Sequence, residues 1–229
     1  MNSEKKYRNE LKYICTEAEL KLLEFKIKNI CNLDNNVSEE GTYRIRSIYF
    51  DDYNNKYFYE NENGTDPREK FRIRIYNLDN SHIKLECKQK EKTMTHKESC
   101  SISMEEYEAI MAGKWNLIEA ENPLLRRFVS EMNSNLLTPK VIVDYERQPY
   151  VYKLGNVRIT FDRNISSGKD MDKFFSENLS VRPIMPLGKN ILEVKYDEFI
   201  PDYLYRLLNL RDLRQTAFSK YYLCRKYGL

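Results

Sequence analysis

Charge on every second residue, in segment after segment, is the feature that most limits how this chain can fold. Lys70, Arg72 and Arg74 alternate with Phe71, Ile73 and Ile75, and Lys84, Glu86 and Lys88 alternate with Ile83, Leu85 and Cys87. Arg158, Thr160 and Asp162 alternate with Val157, Ile159 and Phe161, and Glu193, Lys195 and Asp197 with Leu192, Val194 and Tyr196. Residues two apart in a strand share a face. A single half-buried strand puts its polar face in water. Here the polar faces recur along the chain and are mostly basic. If the sheet closes into a barrel, one face of every strand points inward. A basic lumen with a few carboxylates is a chamber for a polyanion and a divalent metal ion.

The overall charge does not reveal such a site. Lys and Arg number 38 against 35 Asp and Glu, for a net charge of +3. No part of this balance marks the surface as a nucleic-acid binder, and no nucleic-acid partner is expected. A basic site has to be built locally. The seven glycines are scattered, so neither GxxxxGK[ST] nor GxGxxG occurs,. Phosphate would have to be held by side chains. The five cysteines form no CxxC pair and are odd in number, as for reduced cytosolic thiols,. His82 and His96 read as surface residues. No signal peptide is visible, and no apolar run approaches the ~20 residues of a membrane helix. The expected location is the cytoplasm, with contact to the inner face of a membrane only through a separate integral membrane protein.

Along the chain, a strand at Tyr7–Cys15 is followed by a helix opened by the capping box Thr16 and Glu19. Leu20, Leu23, Ile27 and Ile30 make its apolar stripe. Residues 32–42 read as loop. Strands follow at Tyr43–Asp51, Glu69–Tyr76, His82–Gln89 and Lys97–Ile102, with a polar helix or turn after Asp52. Ser103 and Glu106 form a second capping box, and Asn122-Pro123 opens a further helix to about Met132. Lys140–Gln148 and Val157–Arg163 read as a hairpin in which Asp162 and Arg163 make an ion pair. Residues 164–190 connect to a strand at Asn190–Asp197, and Pro201–Leu229 holds two short helices. Arg126 and Arg127 read as a solvated helix face. The simplest architecture is one α+β domain over residues 1–229. It would be a closed antiparallel β-barrel of about eight strands with helices packed outside.

Several motifs share this order. They are Arg8-x-Glu10-x-Lys12, Arg72-x-Arg74, Glu86-x-Lys88, Tyr145-x-Arg147, Glu193-x-Lys195 and Phe218-Ser219-Lys220. Together, from about Lys6 to Lys226, they resemble the polyphosphate polymerase domain of the vacuolar transporter chaperone (VTC) family. That family lies in the triphosphate tunnel superfamily, with the CYTH-type triphosphatases and adenylate cyclases. The resemblance implies a tunnel in which Lys12, Arg72, Arg74, Lys88, Arg147, Lys195 and Lys220 hold phosphates and carry the chemistry. Arg8, Glu10, Lys84, Glu86, Tyr145, Arg158 and Ser219 would complete the substrate-binding wall. Glu193 would hold Mn²⁺ or Mg²⁺. The family reaction transfers the ATP γ-phosphate onto inorganic polyphosphate.

Two departures bear on the reaction. CYTH triphosphatases carry Glu-x-Glu-x-Lys on the first strand, and here the first position is Arg8. That exchanges a metal ligand for a phosphate anchor and weakens the hydrolase reading. Ala217 stands where family members often have a lysine. The SPX domain and membrane segments of the eukaryotic complexes have no counterpart. Three classes stay open: a polyphosphate polymerase, a tunnel hydrolase of triphosphate or tripolyphosphate, and a non-catalytic polyphosphate-binding module. Oligomeric state is not legible.

Overall fold

The alternating segments all become strands, and they join edge to edge in one antiparallel sheet. The computed structural model describes residues 7–228. Lys6, at the start of the resemblance, and Leu229, at the end of the C-terminal helical region, lie outside the described residues. The strands are β1 (Arg8–Thr16), β2 (Asn32–Leu33), β3 (Tyr43–Asp51), β4 (Arg68–Tyr76), β5 (Ile83–Glu91), β6 (Met94–Ile102), β7 (Thr138–Tyr152), β8 (Val157–Gly168), β9 (Val181–Pro183) and β10 (Lys189–Tyr196). The helices are α1 (Glu17–Ile27), α2 (Lys56–Glu62), α3 (Met104–Met111), α4 (Pro123–Ser134), α5 (Asp202–Leu207) and α6 (Lys220–Tyr227).

The sheet runs β7-β3-β4-β5-β6-β1-β10-β8, and β8 pairs back onto β7. That closes an eight-stranded antiparallel barrel. β2 adds to β7 and β9 to β8, outside the closed ring. The seam between β1 and β6 is short, with Arg8 opposite Thr95 and Asn9 opposite Met94. Register decides what the lumen contains, because a slip of one residue would turn each strand's charges outward. It sets Lys12 opposite Glu193, Glu10 opposite Lys195, Arg72 opposite Glu86 and Arg147 opposite Asp162.

The apolar positions of the same strands face outward and are covered by helices. Phe71, Ile73, Ile75, Leu85 and Cys87 pack with Phe128 of α4 and Tyr107 of α3. Ile159, Phe161, Leu192 and Val194 pack with Leu20, Leu23 and Ile27 of α1 and Leu204 of α5. Both expected capping boxes form, at Thr16/Glu19 and Ser103/Glu106. Asn122 caps α4 with Pro123 in its first turn.

The apolar stripe of α1 ends sooner than its spacing predicts. The helix stops at Ile27, so Ile30 falls in the following turn and is 40% exposed, while Cys31 enters the core. β7 and β8 are longer than the alternation indicates. Their extra residues pair with the end of β3, with each other and with β2 and β9, so local polarity does not mark them. Among the described residues no helix is long and apolar enough to cross a membrane.

Candidate active site in the barrel lumen

A cavity of about 860 Å³ occupies the barrel. Its wall includes Arg8, Glu10 and Lys12 from β1, Arg72 and Arg74 from β4, and Lys88 from β5. β7 adds Tyr145 and Arg147, β8 adds Arg158, and β10 adds Glu193 and Lys195. Ser219 and Lys220 enter from the start of α6. Alternation accounts for the strand residues. The α6 pair is brought in because residues 215–218 run along β1: Thr216 donates its N–H to the Lys12 carbonyl, and Lys12 Nζ donates to the Phe218 carbonyl at 3.1 Å.

The charges fall into three groups, each built on buried carboxylate. In the first, Glu193 Oε1 lies 2.6 Å from Lys195 Nζ and 3.9 Å from Arg147. Its Oε2 lies 3.8 Å from Lys12 and 4.0 Å from Lys220. Glu10 shares Lys12 and Lys195 with it, each at 3.4 Å, and accepts from Lys88 at 2.8 and 2.9 Å. Burial alone would raise the pKa of Glu193, but Lys195, Lys12, Lys220 and Arg147 outweigh it and hold the carboxyl well below its usual range. Glu10 is held down likewise, against burial, by Lys12, Lys88 and Lys195. Burial pushes the Lys88 ammonium down, with Glu10 opposing.

In the second group Glu86 is fully buried. It accepts from Arg72 Nε at 2.7 Å and from Lys97 Nζ at 2.8 Å, and Arg74 lies 3.8 Å away. Arg72 also donates to the Tyr49 hydroxyl at 2.7 Å, and Arg74 to Ser47 Oγ at 3.0 Å and the Tyr145 hydroxyl at 3.4 Å. The third group centres on Asp162. Arg147 donates to it through Nε and Nη2 at 2.6 and 2.7 Å, and Lys220 Nζ lies 2.5 Å away. Lys220 also sits over the Tyr145 ring, 4.8 Å from its centroid. At the rim, Arg8 pairs with Asp197 at 2.8 Å and Arg158 with Asp34 at 2.6 Å.

Two predicted wall residues lie elsewhere. Lys84 is on the inward face of β5 but at its far end, over the Tyr76 ring and outside the cavity lining. Glu86 lies behind Arg72 and Arg74, in the wall rather than at its surface. The expected ion pair between Asp162 and Arg163 does not form. Adjacent strand residues point to opposite faces, so Asp162 turns inward while Arg163 reaches Glu17 and Gln148 outside. His82 is exposed, but His96 is not a surface residue: it lines the cavity, its ring centroid 5.5 Å from that of Tyr7. Arg127 is not simply solvated, since its Nη2 contacts Cys87 and Glu69. Asp162, Tyr49, Lys97, Arg68, Lys70 and Lys90 also belong to the site or its support. Lys70 and Lys90 sit two residues from Arg72 and Lys88, so the same alternation pointed to them.

The arrangement can bind several linked phosphates. Arginine forks take phosphate oxygens in pairs, and lysines add point charges. Among the described residues, no cluster of three or more His, Cys, Asp or Glu could hold a metal ion. The adjacent Glu193 and Glu10 nevertheless suit a hard cation such as Mg²⁺ or Mn²⁺, which is commonly held by one or two carboxylates plus substrate phosphates and water.

The VTC domain model matches residues 7–227. No curated protein sequence matches the chain significantly. Solved structures share the fold at low identity. One is a proposed adenylyl cyclase from Hippeastrum described as having a dominant triphosphatase activity, at 14% identity and TM-score 0.55, with 96% of this chain and 95% of that one covered. Another is a proposed adenylate cyclase from Bacillus halodurans, at 14% identity and TM-score 0.56, with 95% and 96% covered.

Proposed function

This chain belongs to the VTC domain family, and we propose that it is a polyphosphate polymerase that moves the γ-phosphate of ATP onto a growing polyphosphate chain inside the barrel. The observation that carries this reading is the setting of Glu193. One buried carboxylate lies within 4.0 Å of Lys12, Arg147, Lys195 and Lys220. Phosphoryl transfer needs positioning and neutralised oxygens more than covalent help. Arg72, Arg74 and Arg147 would fix the phosphates, with the forks of Arg72 and Arg147 already oriented by Glu86 and Asp162 and that of Arg74 by Ser47 and Tyr145. Lys12, Lys88, Lys195 and Lys220 would neutralise the remaining oxygens, and Tyr145 and Ser219 would donate hydroxyl hydrogen bonds. Glu193, with Glu10 beside it, would hold Mn²⁺ or Mg²⁺. When bound, the ion supplies charge to oppose that on the transferring phosphoryl group. Enclosure by the barrel would strengthen each ion pair made with the phosphates.

A triphosphatase is the second reading. Its support is the closeness of Glu10 to Glu193 through shared Lys12 and Lys195, a carboxylate pair able to serve a hydrolytic metal. Arg8 in the first position of the β1 motif favours the polymerase. Incubation of purified protein with ATP and Mn²⁺, followed by gel staining for polyphosphate and a free-phosphate assay, separates the two. Lengthening chains support the polymerase, orthophosphate alone the hydrolase, and neither product a binding module.

A further inference from the structure

Lys70 enters the lumen from β4 with no carboxylate partner among the described residues. Its Nζ donates to Ser219 Oγ at 3.3 Å and lies 5.3 Å from the centre of the Tyr221 ring. Four other lumen cations are matched: Lys195 by Glu193, Lys88 by Glu10, Arg72 by Glu86 and Lys220 by Asp162. Arg68 and Lys90, which line the same end of the cavity, pair with no carboxylate among the described residues either. What surrounds Lys70 is mostly positive. Arg68 and Arg72 flank it on β4, Lys88 stands opposite on β5, and Lys90 stands opposite Arg68. β1 contributes Lys12 and the already engaged Glu10. A half-buried ammonium facing mainly other cations is left without a counter-charge, which costs stability,. That cost is recovered when an anion binds.

We propose that Lys70 and Ser219, flanked by Arg68 and Lys90, form a phosphate subsite that takes the polyphosphate unit next to those held by Arg72, Arg74 and Arg147. The inference rests on the reading of the lumen as a polyphosphate site and adds a position to it. The electrostatics agree. Burial first, then Lys12, Arg68 and Arg72, bring the Lys70 ammonium down to about 7, with Glu10 opposing. A phosphate at Nζ favours the charged form. Chain binding near neutral pH therefore takes up a proton at this lysine.

The test is titration calorimetry of the whole protein with tripolyphosphate and with a longer linear polyphosphate, near neutral pH, in buffers of different ionisation enthalpy. Wild type should bind the longer chain with proton uptake. Lys70→Met should bind it about tenfold or more weakly, the loss of one charge-assisted contact, with reduced uptake. Lys70→Arg should keep the affinity and show the same reduced uptake, because arginine stays charged. Thermal unfolding without ligand checks that both variants fold. Wild-type affinity and uptake in Lys70→Met would overturn the subsite and leave the lumen reading standing. No binding of either polyanion by wild type would overturn both.

Discussion

Arg147 donates two parallel hydrogen bonds to Asp162, at 2.6 and 2.7 Å, across the β7–β8 hairpin. Asp162 is fully buried and also holds Lys220. A cation from a strand and another from the C-terminal helix are thus aimed into one lumen by a carboxylate that the substrate would not touch. Removing one partner from a buried pair leaves the other charges uncompensated. Asp162→Asn should lower stability by about 3–5 kcal/mol, read by urea unfolding. Added polyphosphate should restore part of the loss by binding the folded state. Unchanged stability would mean that the pair does not hold the barrel together.

Arg72 and Arg74 differ in what they leave behind. Arg72 is bonded to buried Glu86, whereas Arg74 rests mainly on Ser47 and Tyr145. Either alanine substitution should weaken tripolyphosphate binding by about 1.5–3 kcal/mol, measured by calorimetry. Arg72→Ala should also destabilise the fold, because it strips Glu86 of its nearest cation. Glu86→Gln combined with Arg72→Ala should recover part of that stability. Unchanged affinity in both single variants would place the phosphates elsewhere.

Glu193→Gln keeps the shape of the side chain and removes its charge. Metal-dependent turnover of ATP should collapse, since the charge that would hold the ion is gone. Metal-free polyphosphate should bind as well as before or more tightly, because an anion beside the polyanion has been removed. A turnover assay with Mn²⁺ and a binding titration in chelator check the two halves. Full turnover by the variant would remove Glu193 from the metal site.

Acid should act through the same carboxylates. The folded pKa values of Glu10 and Glu193 lie below the ordinary glutamate value of 4.5. A depressed folded pKa contributes stability above the unfolded value, and that stability is lost as pH falls through the folded one. Unfolding free energy should therefore hold down to about pH 5 and then fall as the pH drops further. Glu10→Gln and Glu193→Gln should each flatten the fall. A series of denaturant titrations against pH reads this directly, and a parallel curve in both variants would contradict it.

Alternating charge in β1, β4, β5, β8 and β10 was enough to show strands with one charged, mostly basic face, because strand geometry sends residues two apart to the same side. The capping boxes at Thr16/Glu19 and Ser103/Glu106 fixed two helix starts for an equally local reason. Arg72, Arg74, Lys88, Arg147, Glu193 and Lys220 were grouped into one set only by what the resemblance to the VTC family implies. Tertiary structure alone decided which charges meet. Asp162 turned from a neighbour of Arg163 into the anchor of Arg147 and Lys220, and Glu86 into a support behind two arginines. Lys84, on the same face as Lys88, ended beyond the cavity, and Lys70 ended beside Ser219 without a carboxylate. Alternation tells which side of a strand a residue takes. Register and closure set its height in the barrel and its partner across the lumen, and both depend on pairings between residues far apart in the chain.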